Sequence, residues 1–210
     1  MSSQNGVTMK LYGMPMSGNC WKAAQILQLT GHAYDLHETD SNSGATRTPA
    51  FLAINPAGKV PVLVLDDGEA LTESNAILLH FAEGTPWLPA PGMTRSRVHE
   101  WLFFEQYSHE PYIAVARNIR AWRREAHLHA ARLADCDVRG AAALDLMERR
   151  LSAYSWLAGD GPTVADLALF AYTHRADEGG FDLARWPGVQ AWVARVTELP
   201  GITTLPHADP

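Results

Sequence analysis

Ser17 and Cys20 stand three apart in the stretch Met14-Pro15-Met16-Ser17-Gly18-Asn19-Cys20-Trp21, between a short apolar run and a helical pattern. Small polar residues at a helix start leave backbone N–H groups facing the positive end of the helix dipole, where an anion is favoured. A dithiol redox turn would carry a second thiol where Ser17 stands. A hydroxyl there donates to an anion and cannot be oxidised, so the turn reads as a thiolate site. The plain alternative is an ordinary N-cap, with Ser17 or Asn19 satisfying helix N–H groups. Val60-Pro61, at a strand start, is suited to a cis bond that turns the Val60 amide groups outward to clamp an extended peptide. Glu73-Ser74 precedes a helix: the Ser74 hydroxyl and N–H suit a carboxylate and the Glu73 carboxylate an ammonium, together the zwitterionic end of an amino acid. Taken singly, these three also read as a strand edge, a cap and a solvated charge.

The elements that must hold these residues alternate in kind. Thr8 to Tyr12 reads as strand, Trp21 to Thr30 as helix, Ala33 to His37 as strand and Thr46 to Ile54 as a short helix with Pro49 in its first turns. Asn55 to Lys59 is loop. Val60 to Leu65 and a short strand ending near Leu71 form a hairpin around Asp66-Asp67-Gly68. Ala76 to Ala82 is apolar nearly all round, as in a helix buried on several sides. Residues 1–82 thus read as a βαβαββα domain, and the Pro- and Gly-rich residues 83–93 as a linker.

Residues 94–210 carry no convincing strand and read as an all-helical domain. Thr94 to about Trp122 reads as one long helix bent at Pro111. Leu144, Met147, Leu151 and Tyr154 recur at helical spacing, Thr163 and Asp166 form a capping box, and Val189, Trp192, Val193 and Val196 share a helix face. The fold class is therefore α/β plus all-α.

With 210 residues, 47% of them hydrophobic, the chain has material for a substantial core. Its net charge of −6 argues against nucleic acid or anionic membrane as partner, since both need excess Lys and Arg. Two cysteines, Cys20 and Cys136, are too few for a disulfide framework. The polar Met1 to Gly6 lacks a secretory h-region, so a cytoplasmic location is expected. No metal is expected: His127 and His129, two apart, fall on different faces of a helix. Arg117, Arg120, Arg123 and Arg124 around Trp122 read as a solvated helix face rather than an anion or nucleic-acid patch, given the acidic whole.

In their joint order, Ser17 at a strand-to-helix turn, the Asn55-Pro56-Ala57-Gly58-Lys59-Val60-Pro61-Val62-Leu63 segment, Leu71-Thr72-Glu73-Ser74-Asn75-Ala76-Ile77, the Pro-rich linker and the Thr163/Asp166 capping box resemble the cytosolic glutathione transferases over nearly the whole chain. The resemblance implies a thioredoxin-like N-terminal domain that binds glutathione as co-substrate, a helical C-terminal domain that supplies the acceptor pocket, and a homodimer. Residue by residue, it implies that Val60 pairs its backbone with the cysteinyl part of glutathione and that Glu73 and Ser74 hold the γ-glutamyl end. Lys59 is placed near the glycyl carboxylate. Ser17 matches the serine of the serine-type classes, with Tyr12, Asn19 and Cys20 as alternative donors to the sulfur.

The implied reaction is attack by bound thiolate on a small electrophilic or hydrophobic molecule. Glutathione-dependent disulfide exchange through a reactive Cys20 and non-catalytic glutathione binding are the alternatives. Met14, Met16, Trp101, Phe104, Tyr107, Tyr112 and Arg117 are candidates for the acceptor pocket. A two-fold contact between the N-terminal domain of one chain and the helical domain of the other is expected to use some of Ile77, Leu78 and Phe81, which one small domain leaves uncovered, together with Arg95, Arg97 and Glu100 beside Trp101.

Overall fold

The computed structural model describes residues 9–208; Thr8, expected to open the first strand, lies outside them. The chain divides into two compact units between Glu83 and Gly84. The first runs β1 (Met9–Gly13), α1 (Gly18–Leu29), β2 (Tyr34–Glu38), α2 (Pro49–Ile54), β3 (Val62–Val64), β4 (Ala70–Thr72) and α3 (Ser74–Ala82). The second holds α4 (Met93–Phe104), α5 (Glu110–Arg117), α6 (Ala130–Leu151), α7 (Val164–Thr173) and α8 (Pro187–Thr197), and no strand among the described residues. A thioredoxin-like βαβαββα domain followed by an all-helical one is the expected class.

The sheet has the order β2-β1-β3-β4, with β2 parallel to β1 and the other two pairings antiparallel. Leu11, Val62 and Leu63 are buried, and α1 packs against α3 through an interior that includes Ala23, Ile26, Leu27, Ile77 and Leu78. The last two correct an expectation: Ile77 and Leu78 are fully buried and Phe81 nearly so within the single chain. Packing of α3 against α1 already occupies the apolar surface that seemed to need a second subunit. Val60 to Leu65 also shrinks to a three-residue strand, because Pro61, in a cis peptide bond with Val60, has no N–H to give a ladder.

In the second unit the long helix is continuous in course but not uniform. Its departure from α-geometry precedes Pro111: Glu105–His109 is wound as a π-helix, closed by a bond from the Glu110 N–H to the Glu105 carbonyl. Pro111 then sits in the first turn of α5, where its missing N–H costs nothing; the wide turn absorbs the proline. A second π-helix, Asn118–Trp122, ends the run. Leu144, Met147 and Leu151 of α6 are buried as expected, whereas Tyr154 lies beyond the helix end and is 57% exposed. α7 is buried along its whole length behind the Thr163/Asp166 capping box.

Candidate active site

Strand pairing brings the three sequence motifs to one end of the sheet. Val62, at the start of β3, faces Tyr12, near the end of β1, and Thr72, the last residue of β4. The turn after β1, the segment before β3 and the start of α3 therefore emerge together, as antiparallel pairing requires.

Ser17 is the N-cap of α1 in extended backbone, and its Oγ accepts from the Cys20 N–H at 3.3 Å. The helix thus begins three residues before the expected Trp21, since Gly18, Asn19 and Cys20 form its first turn. A 3.3 Å bond is at the long end of the range, so the half-buried hydroxyl is lightly held. Cys20 is buried, and its thiol packs so close to Gly13 that a Cβ there would stand 3.2 Å from the sulfur. Burial pushes the Cys20 thiol up, against the smaller opposing effect of hydrogen bonds with Ser17 and Met14. Asn19 accepts from the Ser74 hydroxyl at 3.3 Å, which joins the first turns of α1 and α3. Tyr12 stacks on His37 with ring centroids 4.9 Å apart and meets Phe51 of α2 edge-on; by strand alternation it lies on the sheet face opposite the buried Leu11.

Asn55 shapes the loop before Val60: its amide nitrogen donates to the Lys59 carbonyl at 2.8 Å and its amide oxygen accepts from the Ala57 N–H at 3.1 Å. Gly58 has φ 61° and lies against the Arg47 guanidinium, so a side chain there would meet both backbone strain and Arg47. Arg47, which also donates to the Ala57 carbonyl at 3.4 Å, is a cation packed on the loop before Val60 that sequence reasoning missed. Its signal was its place next to the Thr48 cap of α2, which gives no hint of the loop packed on it. Val60 is half-buried, and its backbone N–H and C=O meet no partner among the described residues.

At the start of α3, Glu73 has φ 67°, a left-handed backbone for a residue that is not glycine, and its exposed side chain makes no cap bond. Ser74 is buried. Beneath it the buried Lys22 donates to Asn75 at 3.3 Å, a second tie between α1 and α3.

Comparison with known proteins gives this constellation its context. A family model described as "Glutathione S-transferase, N-terminal domain" matches residues 11–87, and one described as "Glutathione S-transferase, C-terminal domain" matches residues 130–195. Glutathione S-transferase 3 of Zea mays is 32% identical over 219 residues, spanning 96% of this chain and 95% of that protein. This chain belongs to the glutathione S-transferase family. A glutathione S-transferase structure from Xanthobacter autotrophicus matches with TM-score 0.94 at 70% identity, covering 95% of this chain and 98% of that one. Ure2p in complex with glutathione matches with TM-score 0.82 at 25% identity, over 95% and 93% of the two chains.

The helical unit of this glutathione S-transferase family member corrects one acceptor-pocket assignment. Arg117 is buried in an ion pair with Glu178 at 2.6 Å and also donates to the Pro206 carbonyl. A guanidinium is too costly to bury without such partners, which fixes Arg117 as structural. Phe104, Tyr107 and Tyr112 share one open groove of about 290 Å³ with Arg139 and Leu146. The Tyr112 ring lies under both Arg132 and Arg139, and Trp101 meets Phe104 edge-on. Met14 offers its carbonyl to the Ser17 N–H and its sulfur to Ser41, and Met16 adjoins Ser17 in the same turn. Among the described residues, no group of three or more His, Cys, Asp or Glu could hold a metal ion, and no helix is long and apolar enough to cross a membrane.

Proposed function

We propose that this chain is a glutathione transferase, which holds the sulfur of bound glutathione as thiolate beside Ser17 and delivers it to a small electrophile in the cytoplasm. The observation that carries the reading is the backbone of Val60, whose N–H and C=O meet no partner among the described residues and lie beside the turn that holds Ser17. An extended cysteinyl residue laid beside Val60 would take both groups into hydrogen bonds, as one strand pairs with the next. Glu73 and Ser74 then receive the γ-glutamyl ammonium and carboxylate, and Lys59 and Arg47 the glycyl carboxylate.

Ser17 is enough for the chemistry. Lowering a thiol pKa of about 8.5 by two units takes about 2.7 kcal/mol. One charge-assisted hydrogen bond contributes roughly 1.5–3 kcal/mol and a helix N-terminus up to about 2 kcal/mol. No general base is needed. Cys20 is assigned to packing, since a thiol pushed up by burial stays protonated and is a poor nucleophile for disulfide exchange. Met14, Met16 and Trp101 are the acceptor-side candidates that remain.

We assign the open groove to a homodimer interface, because Tyr107 and Leu146, which line it, are 83% and 41% exposed. Light scattering is expected to give twice the 23.0 kDa chain mass; a fully active species of single-chain mass would refute the dimer. Glutathione titration by calorimetry, paired with turnover of a model electrophile, tests the function. Binding and turnover are expected together. Binding without turnover or thiolate absorbance would make the chain a non-catalytic glutathione-binding protein, and absence of binding would overturn the site.

A further inference from the structure

Within the helical unit, a cavity of about 350 Å³ is lined by Thr94, Arg97, Arg150, Tyr154, Gly159 and Asp160. Thr94 and Arg97 are three residues apart and so share a face of α4. Arg150, in the last turn of α6, is fixed twice: its Nε donates to the Trp156 carbonyl at 3.0 Å, and its guanidinium carbon stands 3.6 Å from the Tyr154 ring centroid. The other wall is anchored as well. Gly159 lies so close to α4 that a Cβ would stand 3.0 Å from the Thr94 methyl, and the nearby Leu157 N–H donates to Asp166 at 3.1 Å.

Among the described residues, Arg97 makes no hydrogen bond or ion pair, Arg150 makes no ion pair, and Asp160 pairs with neither. Two guanidiniums and one carboxylate thus line a single cavity without neutralising one another, in a chain whose net charge is −6. We propose that this cavity binds a phosphate group, either free or carried by a small molecule. A tetrahedral oxyanion offers separate oxygens to Arg97 and Arg150, in the charge-assisted geometry guanidinium favours. A singly protonated phosphate also has a P–OH to donate to Asp160. A carboxylate has already lost its proton at about pH 5.5, where a phosphomonoester keeps one, and would face Asp160 as a second anion. All six residues follow Gly84, so the inference stands apart from the glutathione reading.

Calorimetric titration of the whole chain with inorganic phosphate and with O-phosphoserine, at about pH 5.5 and about pH 7.5 on either side of the phosphomonoester second pKa near 6, tests this. One saturable site per chain is expected, tighter at the lower pH for O-phosphoserine, which carries a P–OH only there. Arg97→Met and Arg150→Met should each weaken it about tenfold or more, and Asp160→Asn should abolish the preference for lower pH. Saturation by inorganic phosphate would assign the site to the free ion, and saturation by O-phosphoserine alone to a phosphorylated metabolite. No saturable binding up to about 10 mM, or unchanged binding in Arg97→Met with wild-type circular dichroism, would overturn the proposal.

Discussion

The starts of α7 and α3 use the same vocabulary of small polar and acidic residues to opposite ends. At α7, Asp166 accepts from the Thr163 N–H at 2.9 Å, the Thr163 hydroxyl at 3.1 Å, the Leu157 N–H at 3.1 Å and the Trp192 indole at 3.0 Å. Every oxygen is used, and the whole group is buried. At α3, Glu73 makes no cap bond, holds a left-handed backbone and leaves its carboxylate in solvent. The first arrangement closes a helix end; the second keeps donors and an acceptor available at the cost of local strain. The α1 start is intermediate, since Ser17 caps but at 3.3 Å. Completeness of pairing, rather than residue type, separates the structural helix end from the candidate functional ones.

Asp166→Ala should have the largest effect, because it strands the Leu157 and Thr163 N–H groups and the Trp192 indole in the interior. A loss of about 3 kcal/mol or more is expected, read as a lower midpoint in urea unfolding. His174 extends the contrast to a second fully paired group: its Nδ1 donates to the Phe170 carbonyl at 2.6 Å and its Nε2 accepts from the Leu205 N–H at 2.9 Å. Burial, foremost, lowers its pKa to about 4. Between that value and an unfolded pKa of about 6.5, the unfolded chain binds the extra proton, so stability rises with pH there. The contribution is complete above about pH 6.5 and lost as pH falls toward 4, with a span of about 3 kcal/mol. His174→Gln should flatten that part of the profile in pH-dependent unfolding.

At the open end, the balance between stability and binding reverses. Glu73→Ala and Ser74→Ala should each weaken glutathione binding by about tenfold to a hundredfold, the worth of one charge-assisted contact, while the bound-state rate changes little. Wild-type affinity in both would remove these residues from the site. The smallest effect is the most diagnostic: Glu73→Gly relieves the positive φ and should raise stability by up to about 1 kcal/mol while weakening glutathione binding as Glu73→Ala does. Loss of stability in that variant would contradict the contrast drawn between the two helix ends.

Much of this was legible before the structure. The strand and helix alternation of the first unit, the absence of strands in the second and the Thr163/Asp166 box are local patterns, and local patterns survive folding. The order of Ser17, Val60, Glu73 and Ser74 along the chain carried the resemblance to the family whose models match the chain. Arg117 misled because an arginine in a cluster with Arg120, Arg123 and Arg124 reads as solvated or ligand-facing until its partner Glu178, 61 residues later, is folded onto it. Ile77 and Leu78 misled for a related reason: periodicity reports how apolar a helix is, and not how much of it one neighbour can cover. Arg47 was invisible because its position depends on Gly58, eleven residues on, turning through a left-handed conformation.

The central claim is that the Ser17 hydroxyl at the α1 N-terminus stabilises a glutathione thiolate. Titration of the ultraviolet thiolate absorbance of enzyme-bound glutathione against pH, in the wild type and in Ser17→Ala, tests it directly. The bound thiol is predicted to ionise one to two units below its ordinary value of about 8.5, and Ser17→Ala to raise it by about one unit or more with affinity nearly unchanged. An unshifted pKa in the wild type, or the same depressed pKa in Ser17→Ala, would contradict the account.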